Sequence, residues 1–163
     1  MDENGFSLVE MVVVLFLCSI LIAMATLQWD RWTVKSSIET QFKRLFSDLQ
    51  GVRAQALYRK QSNSVVFMTA SSCYYIYSST VTSVRPKQKT RFKIPVTVST
   101  NLQVSFDQTG FATFSNNSTT VNVCAAGTNA SKAFFNSVII SQTRTQIGNQ
   151  TGAGCVGANI TPQ

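Results

Sequence analysis

Glu10 is the one carboxylate in a run that is otherwise apolar or small from Phe6 to Leu27. That run contains no Lys, Arg or His to pair with it. A lone carboxylate inside an apolar helix costs roughly 2.5–3.5 kcal/mol on insertion scales, so it needs a cation from elsewhere. The chemistry open to Glu10 is therefore charge pairing in dry surroundings.

A second set of residues carries the opposite charge. Arg85, Lys87, Lys89, Arg91 and Lys93 are spaced two apart. In an extended strand that spacing puts all five on one side, with Phe92 and Ile94 on the other. Pro86 limits pairing early in the run. One reading is a solvated edge that Lys and Arg protect from aggregation. The other is contact with a polyanion, in which each neutralised phosphate steepens the salt dependence by about 0.9. DNA is the candidate ligand, and Tyr74, Tyr75 and Tyr77 could stack on single strands. Acidic lipid headgroups or an acidic neighbouring subunit fit the same cations.

Catalysis finds little support. The chain has no histidine, and beyond Glu10 its only acids are Asp30, Glu39, Asp48 and Asp107. No S-x-x-K motif, Gly-rich phosphate loop or metal-ligand set occurs, so no cofactor is expected. The four cysteines, Cys18, Cys73, Cys124 and Cys155, form no CxxC pair.

The elements that position these residues follow from patterning. The run from Phe6 is long enough to span a bilayer, which takes about 20 apolar residues. Met1–Gly5 holds no cation, which argues against a conventional cleaved signal peptide. Beyond the span, Ile38, Phe42, Leu45, Leu49, Val52 and Ala56 recur at steps of four and three, one apolar stripe on a helix. A single helix from about Ser7 to Tyr58 is expected, with Gly51 its weak point. Trp29 and Trp32 stand just past the apolar run, where amphipathic rings favour an interface.

The rest predicts strands over Ser64–Met68, Cys73–Tyr77, Lys89–Ile94, Leu102–Phe106, Gly110–Phe114, Thr120–Cys124 and Asn136–Ser141. Asp107–Gly110 reads as a turn, and 115–119 and 126–130 as loops. The division is then residues 1–5, a span over 6–28, an amphipathic half-helix over 29–60 and a β-rich domain over 61–163. The fold class is α+β, a long N-terminal helix packed on an antiparallel β-sheet domain. The formal charge of +7 rises once Asp2 and Glu3 are removed.

Gly5, Phe6 and Glu10, opening an apolar run of this length, resemble the start of the type IV prepilin superfamily. The resemblance implies cleavage between Gly5 and Phe6 by a prepilin peptidase and N-methylation of Phe6. It also implies that Glu10 pairs with the new amino terminus of Phe6 in a neighbouring subunit. Partners are then other pilin or pseudopilin subunits and the inner-membrane assembly platform. The implied location is the bacterial inner membrane with the C-terminal domain exported, then a periplasmic pseudopilus or a surface pilus. Arg31 and Lys35 would give the inverse topology by charge alone; the processing motif takes precedence. The leader departs from the family in being acidic, and the end of the span lacks the Pro that many pilins carry.

Within the superfamily the chain is similar to GspH/FimT-type minor pilins and pseudopilins. The stretch Leu49–Lys60, the turn Val104–Gly110 and the strand Val138–Ser141 followed by Arg144 carry that likeness, the last as the family's final strand. Some members bind DNA through a terminal Gly-Arg-x-Arg; here Thr143-Arg144-Thr145-Gln146 keeps only Arg144. In an exported domain Cys124–Cys155 is the preferred disulfide, and pairings of either with Cys73 stay open. Minor subunit, DNA-binding subunit and major filament subunit are the three functional readings.

Overall fold

The computed structural model of the chain describes residues 7–99, 103–115, 118–127 and 133–163, with the side chains of 25–28 left undescribed. The chain divides into two compact units, Met1–Val34 and Lys35–Gln163. Helix α1, Leu8–Arg59, supplies residues to both. In the first unit every side chain from Leu8 to Met24 is exposed. By length and composition this part of α1 can cross a membrane. The Ser19 hydroxyl suits apolar surroundings, because the helix itself satisfies it: Ser19 Oγ donates to the Phe16 carbonyl at 2.7 Å. Thr33 Oγ1 does the same to Trp29 at 2.8 Å.

In the second unit the expected stripe is the buried face of α1. Ile38, Phe42, Leu45, Leu49, Val52 and Ala56 are all buried. Ten strands follow among the described residues. They are β1 Asn63–Met68, β2 Cys73–Tyr77, β3 Gln88–Arg91, β4 Val96–Val98 and β5 Gln103–Phe106. After them come β6 Ala112–Phe114, β7 Thr120–Ala125, β8 Ser137–Ser141, β9 Thr145–Gln150 and β10 Ile160–Pro162. They form two five-stranded sheets, β3-β2-β1-β5-β6 and β10-β9-β8-β7-β4. Every pairing is antiparallel.

Alternation along the strands puts Val65, Phe67, Tyr74, Ile76, Val104 and Phe106 on one face of the first sheet, and all six are buried. The second sheet buries Val121, Val123, Val138 and Ile140 in the same way, with Val121 opposite Ile140 and Val123 opposite Val138. Side-chain hydrogen bonds fasten the helix to the strands. Tyr74 Oη donates to Asp48, and Asn63 Nδ2 to the Val52 carbonyl at 3.4 Å. Burial first, and then the bond to Asp48, raises the Tyr74 phenol well above its ordinary value, so it remains a donor.

The strands depart from the expected pattern at the second sheet. β4, β9 and β10 were not anticipated, and Val138–Ser141 is not the final strand but the centre of its sheet. The Gly-rich stretch Gly148–Gly154 begins inside β9. Gly148 is there because a Cβ would meet Ile160 Cγ2 at 2.4 Å. Cys124 and Cys155 are joined, with Cα atoms 5.7 Å apart, and they cluster with Ile160 and Ile139. Cys73 is a buried free thiol and Cys18 an exposed one. The expected strand start Leu102 and parts of both expected loops lie outside the described residues.

The turn between β5 and β6 is built by one carboxylate. Asp107 Oδ1 accepts from the Thr109 amide and hydroxyl at 2.9 and 2.6 Å, and from the Phe111 amide at 2.9 Å. The Thr109 hydroxyl chiefly, with those amides, holds the Asp107 carboxyl below its ordinary value. Its contribution is therefore present at neutral pH and is lost as pH falls through that lowered value. Gly110 closes the turn at φ +78°, and a Cβ there would stand 2.9 Å from Leu57.

Two glycines should respond in opposite directions in denaturant unfolding of the full chain. Gly110→Ala is expected to destabilise by about 1–3 kcal/mol through its strained backbone and the Leu57 contact. Gly51→Ala, mid-helix with nothing near the added methyl, should stabilise by about 0.4–1 kcal/mol.

Candidate functional sites: the N-terminal carboxylate and the basic edge

Glu10 lies in the first turn of α1. A negative side chain there is favoured by the helix dipole. Its backbone amide bonds the Ser7 carbonyl at 3.0 Å. Around it Leu8, Val9, Met11, Val12, Val13 and Val14 are at least half exposed. Among the described residues no cation lies within ion-pairing distance of Glu10; the only salt bridge there is Lys35–Glu39, at 4.0 Å. Gly5 and Phe6, the expected cleavage and methylation positions, lie outside the described residues.

The five spaced cations do not form a single row, contrary to expectation. The strand that carries them is β3, and it holds only Lys89 and Arg91. β3 is an edge strand pairing with β2, with Tyr75 opposite Lys89 and Cys73 opposite Arg91. The ammonium of Lys89 lies 5.4 Å from the Tyr75 ring centroid, a cation–π contact, and Tyr75 stands 6.4 Å from Tyr77. Lys87 precedes the strand and donates from Nζ to Gln55 Oε1 of the helix at 2.7 Å. Arg85 is exposed in the loop before it.

Past Arg91 the chain leaves the extended path because Gln41 captures it. Gln41 Oε1 accepts from the Lys93 and Ile94 amides at 2.8 and 2.9 Å, and its Nε2 donates to the Ile94 carbonyl at 2.9 Å. Phe92 turns inward, its ring 5.1 Å from Tyr74. Lys93 therefore lies past the end of β3 and does not continue its alternation. It joins Arg91 and Arg44 on the wall of a cleft of about 250 Å³ between α1 and the end of β3. Arg44 was not singled out from sequence. It is simply off the apolar stripe, and only the packed helix shows its neighbours. Arg144, the remaining expected cation, lies exposed on the second sheet in the β8–β9 turn, where its carbonyl accepts from the Ser141 amide at 2.8 Å. Among the described residues no three His, Cys, Asp or Glu side chains converge on a metal position.

Comparison with known proteins gives a motif and a fold. Residues 1–26 match the prokaryotic N-terminal methylation motif. The structure is similar to the type IV minor pilin FimU of Pseudomonas aeruginosa, with a TM-score of 0.56 at 15% identity, covering 77% of this chain and 99% of that one. A second crystal form of FimU gives 0.55 at 16% identity, covering 72% and 98%. No curated protein matches the sequence. Motif and fold agree: the matched segment is an N-terminal methylation motif, and the fold is that of a type IV pilin. The apolar N-terminal part of α1 is long enough to serve as a membrane anchor.

Gln41 is the residue that sets the direction of the basic segment. Gln41→Ala is expected to cost about 1–3 kcal/mol, because it leaves part-buried backbone groups unsatisfied. Amide hydrogen exchange should accelerate at Lys93 and Ile94 and remain slow within β1.

Proposed function

We propose that this chain is a minor subunit of a type IV pilus or a type II secretion pseudopilus. A prepilin peptidase cuts between Gly5 and Phe6, Phe6 is N-methylated, and the processed subunit waits in the inner membrane with its second unit exported. During assembly the Glu10 carboxylate pairs with the Phe6 amino group of a neighbour. One observation carries this reading: an acid in the first turn of an exposed apolar helix with no cationic partner among the described residues. Removing such a charge pair from water is tolerable only when both members are present and hydrogen-bonded. The likeness to a minor pilin supports the minor over the major role.

Glu10→Leu is expected to leave membrane insertion intact and to abolish incorporation into filaments, read by cross-linking to other subunits in sheared fractions. Glu10→Gln should show the same defect. Normal incorporation of either variant would contradict the pairing.

A second reading, a DNA-binding minor pilin, rests on Lys89 held over Tyr75 beside Tyr77. Cation and stacking surface together suit single strands. Replacing Lys87, Lys89 and Arg91 by Gln should then lower the slope of log affinity against log salt by about 2, at about 0.7 for each phosphate no longer neutralised. An unchanged slope would leave β3 as a protected sheet edge.

A further inference from the structure

We propose that the cleft between α1 and the end of β3 is a docking site for a carboxylate-bearing side chain of a different, acidic protein subunit. This proposal rests on the filament reading, which supplies the neighbour. The cleft lies wholly within the second unit. Arg44 contributes from the helix, and Arg91 and Lys93 from the strand end. No acid lines it, and none of the three cations is in an ion pair among the described residues. Ser36 and Ser37 add hydroxyls, and Phe92 adds a buried apolar wall.

Three like charges gathered around one recess repel one another, and an anion between them removes that cost. The two guanidinium groups can take a carboxylate in paired hydrogen bonds, which a lone ammonium cannot do. The three Gln41 hydrogen bonds fix the backbone at Lys93 before any ligand arrives. The site is therefore organised in advance, which lowers the ordering cost of binding.

The second unit does not supply the acid. From Lys35 onward it has thirteen cations against three acids, a formal balance of +10. All three acids are engaged within the unit. Glu39 accepts from the Phe134 amide at 3.1 Å and faces Lys35, Asp48 accepts from Tyr74, and Asp107 holds its own turn. A second copy would bring like charge to like charge. An acidic partner of another kind would instead be steered in and favoured over a copy.

The shape of the site selects a side chain over a nucleic acid duplex. Duplex phosphates lie on a convex rod at about one charge per 1.7 Å of axis, and projecting cations meet them best. A recess of about 250 Å³ instead admits a projecting Glu or Asp, whose methylene stem can lie on Phe92.

The test uses the full chain in non-ionic micelles and a capped, fluorescein-labelled peptide of alternating Glu and Gly, read by anisotropy. The matching Gln/Gly peptide, an unlabelled oligothymidylate competitor and a self-association measurement accompany it. Arg44→Gln/Arg91→Gln/Lys93→Gln should weaken Glu-peptide binding tenfold or more, about what removal of charged hydrogen bonds gives. Arg85→Gln/Lys87→Gln/Lys89→Gln, with the same change of charge, should weaken it less than about threefold if only the general field is altered. The Gln peptide should not bind. Equal weakening by both triples, no weakening by the first, or no peptide binding at all would overturn the proposal. So would oligothymidylate displacing the peptide from the unmodified chain but not from the second triple variant, or self-association that the first triple abolishes. Binding to dispersed chains is measured apart from assembly, so failure here and failure of filament incorporation are distinguishable.

Discussion

The apolar part of the first unit, from Leu8 to Met24, holds a single charge. Glu10 stands near the start of a helix whose described side chains, from Leu8 to Met24, are all exposed and almost all apolar. Such a surface is stable in lipid or against other apolar helices, and not in water. A carboxylate there calls for a cation delivered at the same depth. The Ser19 hydroxyl, by contrast, is satisfied by its own helix and calls for nothing. The unit can thus sit in either apolar setting, and only the partner of Glu10 distinguishes them.

The second unit solves a different problem. The second half of α1 gives it a buried stripe, and two antiparallel sheets complete the core. Polar side chains on the flanks of that stripe then decide where the edge strand goes. Asp48 holds Tyr74, Gln55 holds Lys87, and Gln41 holds the chain after Arg91. The same helix that carries the core therefore helps to place the cations. Lys89 is placed over Tyr75, whereas Arg91 and Lys93 are brought to Arg44.

Local periodicity made the helix legible, because burial of one face imposes a repeat that neighbouring residues must obey. All six residues of the stripe are buried. Strands with β-branched or aromatic runs, such as Cys73–Tyr77, were legible from composition, since such side chains suit a buried sheet. β9 was not, since Thr-Gln-Ile-Gly-Asn-Gln has neither alternation nor β-branched density. β4 and β10 have three residues each, too few to show a period. The row of cations was misread because alternation assumes that the strand continues. What ends it is Gln41, more than fifty residues earlier in the chain. The contribution of Arg44 to the cleft is long-range in the same sense, and the local pattern carries no mark of it. The Cys124–Cys155 bridge was a preference from the sequence, with Cys73 left open. The structure sets Cys73 as a buried free thiol in β2.

The most direct test of the account is the mass of the amino-terminal peptide of the mature protein, taken from membranes of its native host. The account requires a chain that begins at Phe6 and carries one methyl group on its amine, the cation that Glu10 awaits. A chain that retains Met1–Gly5, or one cut beyond Glu10, would contradict it.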